Sequence, residues 1–85
     1  MATSAEKRAQ RNFGGTLRAR REAAGLTQSD LAEKASLHRT YVSELERGLK
    51  EPGFHVLRKL VLALPGSSDE LLGVTETVHK SRQEE

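Results

Sequence analysis

Residues 25–48, GLTQSDLAEKASLHRTYVSELERG, decide the fold of this chain. Gly25 is typical of a helix end, because a glycine just past the last turn accepts a left-handed backbone. Thr27 and Asp30 form a T-x-x-D variant of the capping box, which predicts that a helix starts at Thr27. A second helix is expected over residues 38–48. The stretch therefore predicts two short helices joined by a short turn.

The two sides of the helix predicted over residues 38–48 differ in polarity. At about 100° per residue, Val42 and Leu45 point to one side, with Glu46 beside them. The opposite side carries hydroxyl, carboxylate and guanidinium groups: Arg39, Thr40, Ser43, Glu44 and Arg47. A helix with an apolar back and a polar front suits the major groove of DNA, which is wide enough to admit it.

Apolar spacing predicts further helices on both sides of this stretch. One helix is expected over residues 14–24, and a fourth begins after Pro52. Residues 67–73 can form a fifth, short helix that carries Leu71 and Leu72. The apolar face of the fourth helix is expected to comprise Phe54, Leu57, Leu60, Val61 and Leu64.

The chain of 85 residues divides into three parts. Residues 1–12 lack an apolar stripe and are expected to be a flexible basic arm. Residues 13–73 are expected to form one all-α, five-helix domain, and residues 74–85 a polar tail. This length suffices for a single small core.

Composition excludes several classes of protein. The chain has no Cys, so disulfides and thiolate metal sites are excluded and a reducing cytoplasm fits. No apolar run approaches the roughly 18 residues of a membrane helix. His38, His55 and His79 are scattered, and no Gly-rich loop follows a strand pattern. We therefore expect no enzyme, metal, cofactor or small-molecule ligand, and no membrane association.

Charge is distributed unevenly along the chain. Residues 1–21 contain six basic side chains and one acid, whereas residues 66–85 contain five acids and two bases. This asymmetry fits one side that faces an anion such as nucleic acid, but an ordinary solvated surface would explain it equally well.

The motifs LRARREAAGLTQSDLA and YVSELERG, followed by Pro52 and a Leu-rich helix, resemble the lambda-repressor-like (XRE) helix-turn-helix family over residues 13–73. Residues 37–48, LHRTYVSELERG, are similar to the small controller proteins of restriction–modification systems. The resemblance implies a five-helix bundle that binds double-stranded DNA through its third helix.

On this basis the base-reading candidates are Arg39, Thr40, Ser43 and Glu44. Arg39 has the planar fork that fits the O6 and N7 acceptors of guanine. Thr40 can offer its hydroxyl to a base or its methyl group to thymine. Glu44 can accept from cytosine, or it can pair with Arg47 or Arg39 and not touch DNA.

Other side chains are candidates for the DNA backbone. The resemblance implies that Gln28 binds a phosphate at the positive end of the helix that starts at Thr27. Alternatively, Gln28 does no more than favour the formation of that helix. Tyr41 can give its hydroxyl to a phosphate or simply pack on the core. Arg47 and Lys50 lie where the chain leaves the recognition helix and are expected to grip a phosphate.

Arg21 and Glu46 both fall on apolar faces, beside Leu17 and Leu45. A lone charge there would be unfavourable, so we expect a partly buried ion pair between the first and third helices. The resemblance implies a pair at the same positions. We therefore assign Arg21 to structure and not to DNA.

Two positions depart from the family pattern. Ser36 stands in the turn where Gly or Asn is usual, and Ser tolerates a left-handed backbone less well. His38 stands where a capping Asp, Ser or Thr is preferred. Both departures concern the start of the recognition helix.

A DNA-binding domain of this size contacts only a few base pairs. A two-fold dimer on a palindromic operator is therefore expected. Leu62, Leu71 and Leu72 are the expected dimer contacts. The sequence thus predicts a transcriptional regulator, either a repressor or a controller. The alternatives are an antitoxin that represses its own operon and a protein-interaction module without a DNA role.

Overall fold

The computed structural model describes residues 3–66 and Leu71. Within them the chain forms α1 (Ser4–Ala23), α2 (Gln28–Lys34), α3 (Arg39–Glu46) and α4 (Phe54–Ala63), and it has no strand. The all-helical prediction is therefore confirmed. The expected fifth helix and the tail over residues 74–85 lie outside the described residues, except that Leu71 is helical and buried. No helix in the described part is both long and apolar enough for a membrane crossing.

The first helix begins about three turns earlier than its apolar spacing suggests. Thr3 caps it, because its side chain accepts a hydrogen bond of 3.1 Å from the backbone N–H of Glu6. Ala9 is buried one turn before Phe13, so the apolar stripe continues toward the N-terminus. The prediction of a flexible arm is therefore wrong for residues 4–12, which belong to α1.

The core lies where α1 and α2 pack against the back of α3 and where α4 packs against α2. Leu31 and Ala32 of α2 and Val42 and Leu45 of α3 are all buried, as their spacing predicts. Leu37, in the turn between these helices, packs against the same cluster. The remaining buried members are Phe13, Leu17, Ala35, Leu57, Leu60, Leu64 and Leu71.

Gly14 allows α1 and α3 to come into backbone contact. A Cβ atom at this position would lie 2.6 Å from the carbonyl oxygen of Glu46 and would also overlap that of Leu45. Both of these atoms belong to the backbone of α3 and cannot move aside as a flexible side chain could. The distance between the two helices therefore depends on the absence of a side chain at Gly14.

The turn between α2 and α3 has the left-handed residue that its position requires. Ser36 adopts a φ of 54°, although it is not a glycine. Its carbonyl oxygen accepts a hydrogen bond of 3.4 Å from the Nζ of Lys59 in α4. The fourth helix thus braces the turn that sets the entry into α3.

Arg21 and Glu46 form the expected ion pair between α1 and α3. The Nε of Arg21 lies 2.6 Å from Oε2 of Glu46, and its Nη2 lies 3.0 Å from Oε1. The Nη1 of Arg21 donates to the carbonyl oxygen of Leu26 at 2.8 Å. The two charged side chains are only 11% and 3% exposed. Hydrogen bonding to Glu46 raises the pKa of Arg21 above its ordinary value.

Two apolar positions differ from their sequence assignments. Phe54, expected in the core, is 76% exposed, because α4 begins at this residue and its first turn projects beyond the core. Leu71, expected at a dimer surface, is fully buried in the core and is not available to a second chain. Leu62 is 70% exposed, whereas Leu72 lies outside the described residues.

Substituting Gly14 with Ala should destabilise the domain by about 1–3 kcal/mol, because the added methyl group overpacks the contact between α1 and α3. Gly15→Ala is the matched control, since a Cβ at Gly15 meets nothing within 4 Å. That change should stabilise α1 by about 0.5–1 kcal/mol through helix propensity. Urea denaturation followed by circular dichroism measures both. Equal free energies of unfolding for the two variants would contradict the close approach.

Replacing Arg21 with Ala should lower the free energy of unfolding by about 3–5 kcal/mol, since Glu46 would keep a buried, unpaired charge. Arg18→Ala is the control: its Nε lies 3.7 Å from Glu22 in an exposed pair, with side chains 64% and 57% exposed. Such a pair contributes less than about 1 kcal/mol. Chemical denaturation at neutral pH separates the two variants. If Arg21→Ala were no less stable than Arg18→Ala, the buried pair would not hold α1 to α3.

Candidate nucleic-acid interface

The front of α3 presents its polar side chains to different degrees. Arg39 and Thr40, in the first turn, are exposed. Ser43 and Glu44, one turn later, are half-buried and therefore less accessible to a ligand. The back of the same helix is formed by the buried residues Val42 and Leu45. The first turn is therefore the most accessible part of this face.

The start of α3 has no side-chain cap. His38 occupies the N-cap position with an extended backbone, but its ring accepts no hydrogen bond from the helix. The departure that the sequence indicates at His38 thus appears as a missing cap. Backbone N–H groups in the first turn, next to Arg39, lack the side-chain acceptor that the second helix has.

A short chain of contacts joins Glu44, Lys50 and Tyr41. The Nζ of Lys50 lies 3.5 Å from Oε1 of Glu44 and 5.6 Å from the centre of the Tyr41 ring. Tyr41 itself is half-buried and packs against the core. Glu44 therefore pairs with Lys50, and the expectation that it pairs with Arg47 or Arg39 is wrong. The loop after α3 folds back far enough to bring Lys50 within reach.

The end of α3 carries an exposed arginine, Arg47. Arg47 is exposed, and its Nε donates to the carbonyl oxygen of Ser43 at 3.4 Å. Gly48 follows with a φ of 72°, which a side chain would strain. The chain thus turns sharply at Gly48 and keeps the guanidinium of Arg47 at the end of the helix.

The start of α2 is well capped, as its sequence predicts. The hydroxyl of Thr27 accepts from the backbone N–H of Asp30 at 3.0 Å, and the carboxylate of Asp30 accepts from the N–H of Thr27 at 2.9 Å. The hydrogen bond from the Thr27 backbone lowers the pKa of Asp30, with a further contribution from the Thr27 hydroxyl. Asp30 is therefore ionised at neutral pH and fixes the first turn of α2.

Gln28 has a partner that its sequence position does not reveal. Its Nε2 donates to Oε1 of Glu46 at 3.1 Å, so Gln28 joins the ion pair with Arg21. Three helices thus meet at one carboxylate. An amide nitrogen has two N–H groups, and the contact with Glu46 uses one of them. The side chain of Gln28 is held at the junction of α2 and α3. Its second N–H group and its carbonyl oxygen can form further hydrogen bonds.

The described histidines do not assemble into a site. His38 lies at the start of α3, and the ring of His55 stands edge-on to Phe54 with centroids 6.3 Å apart. In residues 3–66 and Leu71 no group of three or more His, Cys, Asp or Glu side chains is placed to hold a metal ion. His79 lies outside this part of the chain.

Two features of the interface could not be found from the sequence pattern. Gln28 and Glu46 are 18 residues apart and lie on different helices, so helical spacing does not predict their contact. Arg11, assigned to a flexible arm, lies against Gly48: a Cβ at Gly48 would be 2.8 Å from the Cα of Arg11. Two features of the sequence indicate that α1 extends this far: the T-x-x-E pattern of Thr3 and Glu6 at its start, and Ala9 one turn before Phe13.

Comparisons with known proteins give the family of this chain. The family model described as Helix-turn-helix matches residues 17–71. Two uncharacterized HTH-type transcriptional regulators of Mycobacterium tuberculosis are each 36% identical to this chain over 58 residues. The match covers 68% of this chain and 41% of each relative, so the chain spans less than half the length of the curated relatives it matches.

Solved structures provide a second comparison. Two crystal structures of the clp gene regulator ClgR from Corynebacterium glutamicum match with TM-scores of 0.71 and 0.69, at 32% and 33% sequence identity. The matches cover 89% and 86% of this chain, and 83% and 91% of the ClgR chains. Together with the family match over α1 to α4, they identify this chain as a member of the XRE-type helix-turn-helix family of DNA-binding transcriptional regulators.

Proposed function

We propose that this protein is a sequence-specific, cytoplasmic transcriptional regulator that binds a palindromic operator as a homodimer and acts as a repressor or a controller. The first turn of α3 is the observation that carries the proposal. Arg39 and Thr40 are exposed there, while Val42 and Leu45 on the back of the same helix are buried. Residues near the start of a recognition helix are those that meet base edges in the major groove.

Arg39 and Thr40 are the principal base readers in this proposal. The guanidinium of Arg39 can donate to both acceptors of a guanine, and Thr40 can contact an adjacent base. Ser43 and Glu44 have secondary roles, because they are half-buried and Glu44 is paired with Lys50. To read cytosine, Glu44 would have to leave Lys50, and this release would coincide with the movement of Lys50 to a phosphate.

Gln28, Tyr41, Arg47 and Lys50 are the proposed phosphate contacts. Gln28 is suited to this role because Glu46 holds its side chain at the start of α2. Arg47 is exposed at the exit of α3, and Lys50 lies in the loop that follows it. These contacts would fix the position of α3 in the groove without reading sequence. The proposed binding needs no cofactor, since side chains and backbone supply every contact.

The homodimer follows from the small number of bases that one domain can read. A two-fold pair places its recognition helices about 34 Å apart, one turn of B-DNA, which requires a palindromic site. Leu62 supports this proposal because it is 70% exposed on α4, at the end of the helix that leads toward Leu71. Leu72 remains a proposed contact of the same surface.

The DNA-binding proposal is tested by selection from a random duplex pool, followed by titration at several salt concentrations. The wild-type protein should enrich a symmetric motif. Arg39→Ala should weaken binding to that motif by about 1–3 kcal/mol and relax the preference at one position in each half-site. Arg58→Ala, which removes an exposed cation from α4, is the control and should leave the motif unchanged.

Two outcomes would contradict this prediction. An unchanged motif for Arg39→Ala would remove Arg39 from base reading. No retention of duplex DNA at low salt would favour a protein-interaction module in place of a regulator. An antitoxin that represses its own operon would also enrich a symmetric motif, and copurification with a toxin would separate it from a simple repressor.

The dimer is tested by sedimentation. Leu62→Ser should shift the protein toward monomer, because it removes an apolar contact from the proposed interface. Leu49→Ser is the matched control, since Leu49 is 59% exposed but lies in the loop between α3 and α4, outside the proposed interface. Sedimentation equilibrium over a range of protein concentrations measures both. Identical association for Leu62→Ser and the wild type would exclude Leu62 from the interface.

A further inference from the structure

The first turns of α1 and the exit of α3 enclose a groove that shares only Arg47 with the proposed operator contacts. Its volume is about 460 Å³. Lys7, Gln10 and Arg11 line it from α1. Arg47, Gly48 and Leu49 line it from the end of α3 and the loop that follows. We call these six residues the basic groove.

The groove forms because the backbone of α1 is seated on the turn at Gly48. A Cβ at Gly48 would lie 2.8 Å from the Cα and 3.0 Å from the backbone nitrogen of Arg11. Ala9 and Phe13, on the core side of the same turns, are buried and anchor this part of α1. The position of Arg11 relative to α3 is therefore set by packing and does not depend on its charge.

Three cations line the basic groove without a neutralising partner. Lys7, Arg11 and Arg47 are all exposed, and no carboxylate belongs to the groove lining. Within residues 3–66 none of the three forms an ion pair, although Arg18, Arg21 and Lys50 do. Lys7 and Arg11 stand four residues apart, so they project from the same side of α1. The result is a concentrated positive charge beside the end of the recognition helix.

We propose that the basic groove binds the sugar–phosphate backbone of duplex DNA outside the base pairs read by α3. The inference rests on the proposed DNA-binding function and extends it to the flanking duplex. Arg47 belongs both to the expected operator contacts and to the groove, so the same backbone can continue from one to the other. Lys7 and Arg11 then add phosphate contacts that increase affinity and carry no base preference.

Duplex DNA is the proposed ligand because the operator contacts and the basic groove share Arg47. Lys7 and Arg11 line the same groove as Arg47, the proposed phosphate contact at the exit of α3. A phosphate backbone gains favourable binding free energy from each cation by releasing counterions, even when the side chains remain hydrated. The exposed side chains of Lys7 and Arg11 meet that requirement without burial.

The double variant Lys7→Gln/Arg11→Gln tests the proposal in the full chain. Gln keeps the Cβ and Cγ of each side chain, including the Cγ of Arg11 that faces Gly48, and replaces the charged end with a neutral amide. The control is Arg20→Gln/Lys34→Gln, which removes one Arg and one Lys from the separate cleft formed with Ala63 and Leu64. Circular dichroism and the thermal midpoint establish that both variants fold as the wild type does.

Binding is measured on the motif selected by the wild-type protein, in a long duplex and in one trimmed to the palindrome, over a range of salt. The Lys7/Arg11 variant should bind the long duplex more weakly, and its slope of log K against log salt should fall by about 1.8, or 0.9 per lost contact. It should select the same motif as the wild type. Trimming the flanks should weaken the wild type and the control but leave this variant almost unaffected.

The outcomes separate this inference from the proposed function. If the wild type enriches a motif and the Lys7/Arg11 variant shows the slope and flank dependence of the control, the basic groove does not bind DNA and the operator proposal stands. If the variant instead selects a different motif, its side chains read bases, and a backbone site is excluded. If the wild type retains no duplex, both proposals fail together.

Discussion

The buried contact between Arg21 and Glu46 controls how α3 is presented. Both side chains lie among apolar residues, so any rotation of α3 that separated them would leave a charge without a partner in the core. Gln28 donates to the same carboxylate and ties α2 to this arrangement. A pair of this kind stabilises less than apolar packing would, but it strongly favours one orientation of the helix. The exposed position of Arg39 and Thr40 follows from that orientation.

Close backbone packing adds a second constraint along the same pair of helices. Gly14 lets α1 touch the carbonyl groups of Leu45 and Glu46, and Gly48 lets the backbone of Arg11 approach the end of α3. A side chain at either glycine would push the helices apart. The two contacts keep α1 alongside α3 beyond the length of the shared core. They also bring the charges of Lys7 and Arg11 beside Arg47 at the exit of α3.

The predictable parts of the fold are those governed by neighbours in the chain. The capping box of Thr27 and Asp30, the turn after Ala35 and the apolar back of α3 are local patterns, and the structure has them at the expected residues. The early start of α1 is hard to predict because residues 4–12 are mostly polar, and their helix is supported by the burial of Ala9 and by packing on Gly48. Phe54 and Leu71 differ from expectation for a related reason: apolar character alone does not say whether a side chain meets the core or solvent.

Local sequence patterns predict α2, α3 and α4, the capping box of α2 and the polar face of α3, because these depend on contacts within a few residues. The packing of the helices places Gln28 beside Arg21 at Glu46, pairs Glu44 with Lys50 and seats α1 against Gly48. Each of these contacts joins residues from different elements. Their geometry depends on how the helices pack around the core, and no local spacing in the chain encodes it.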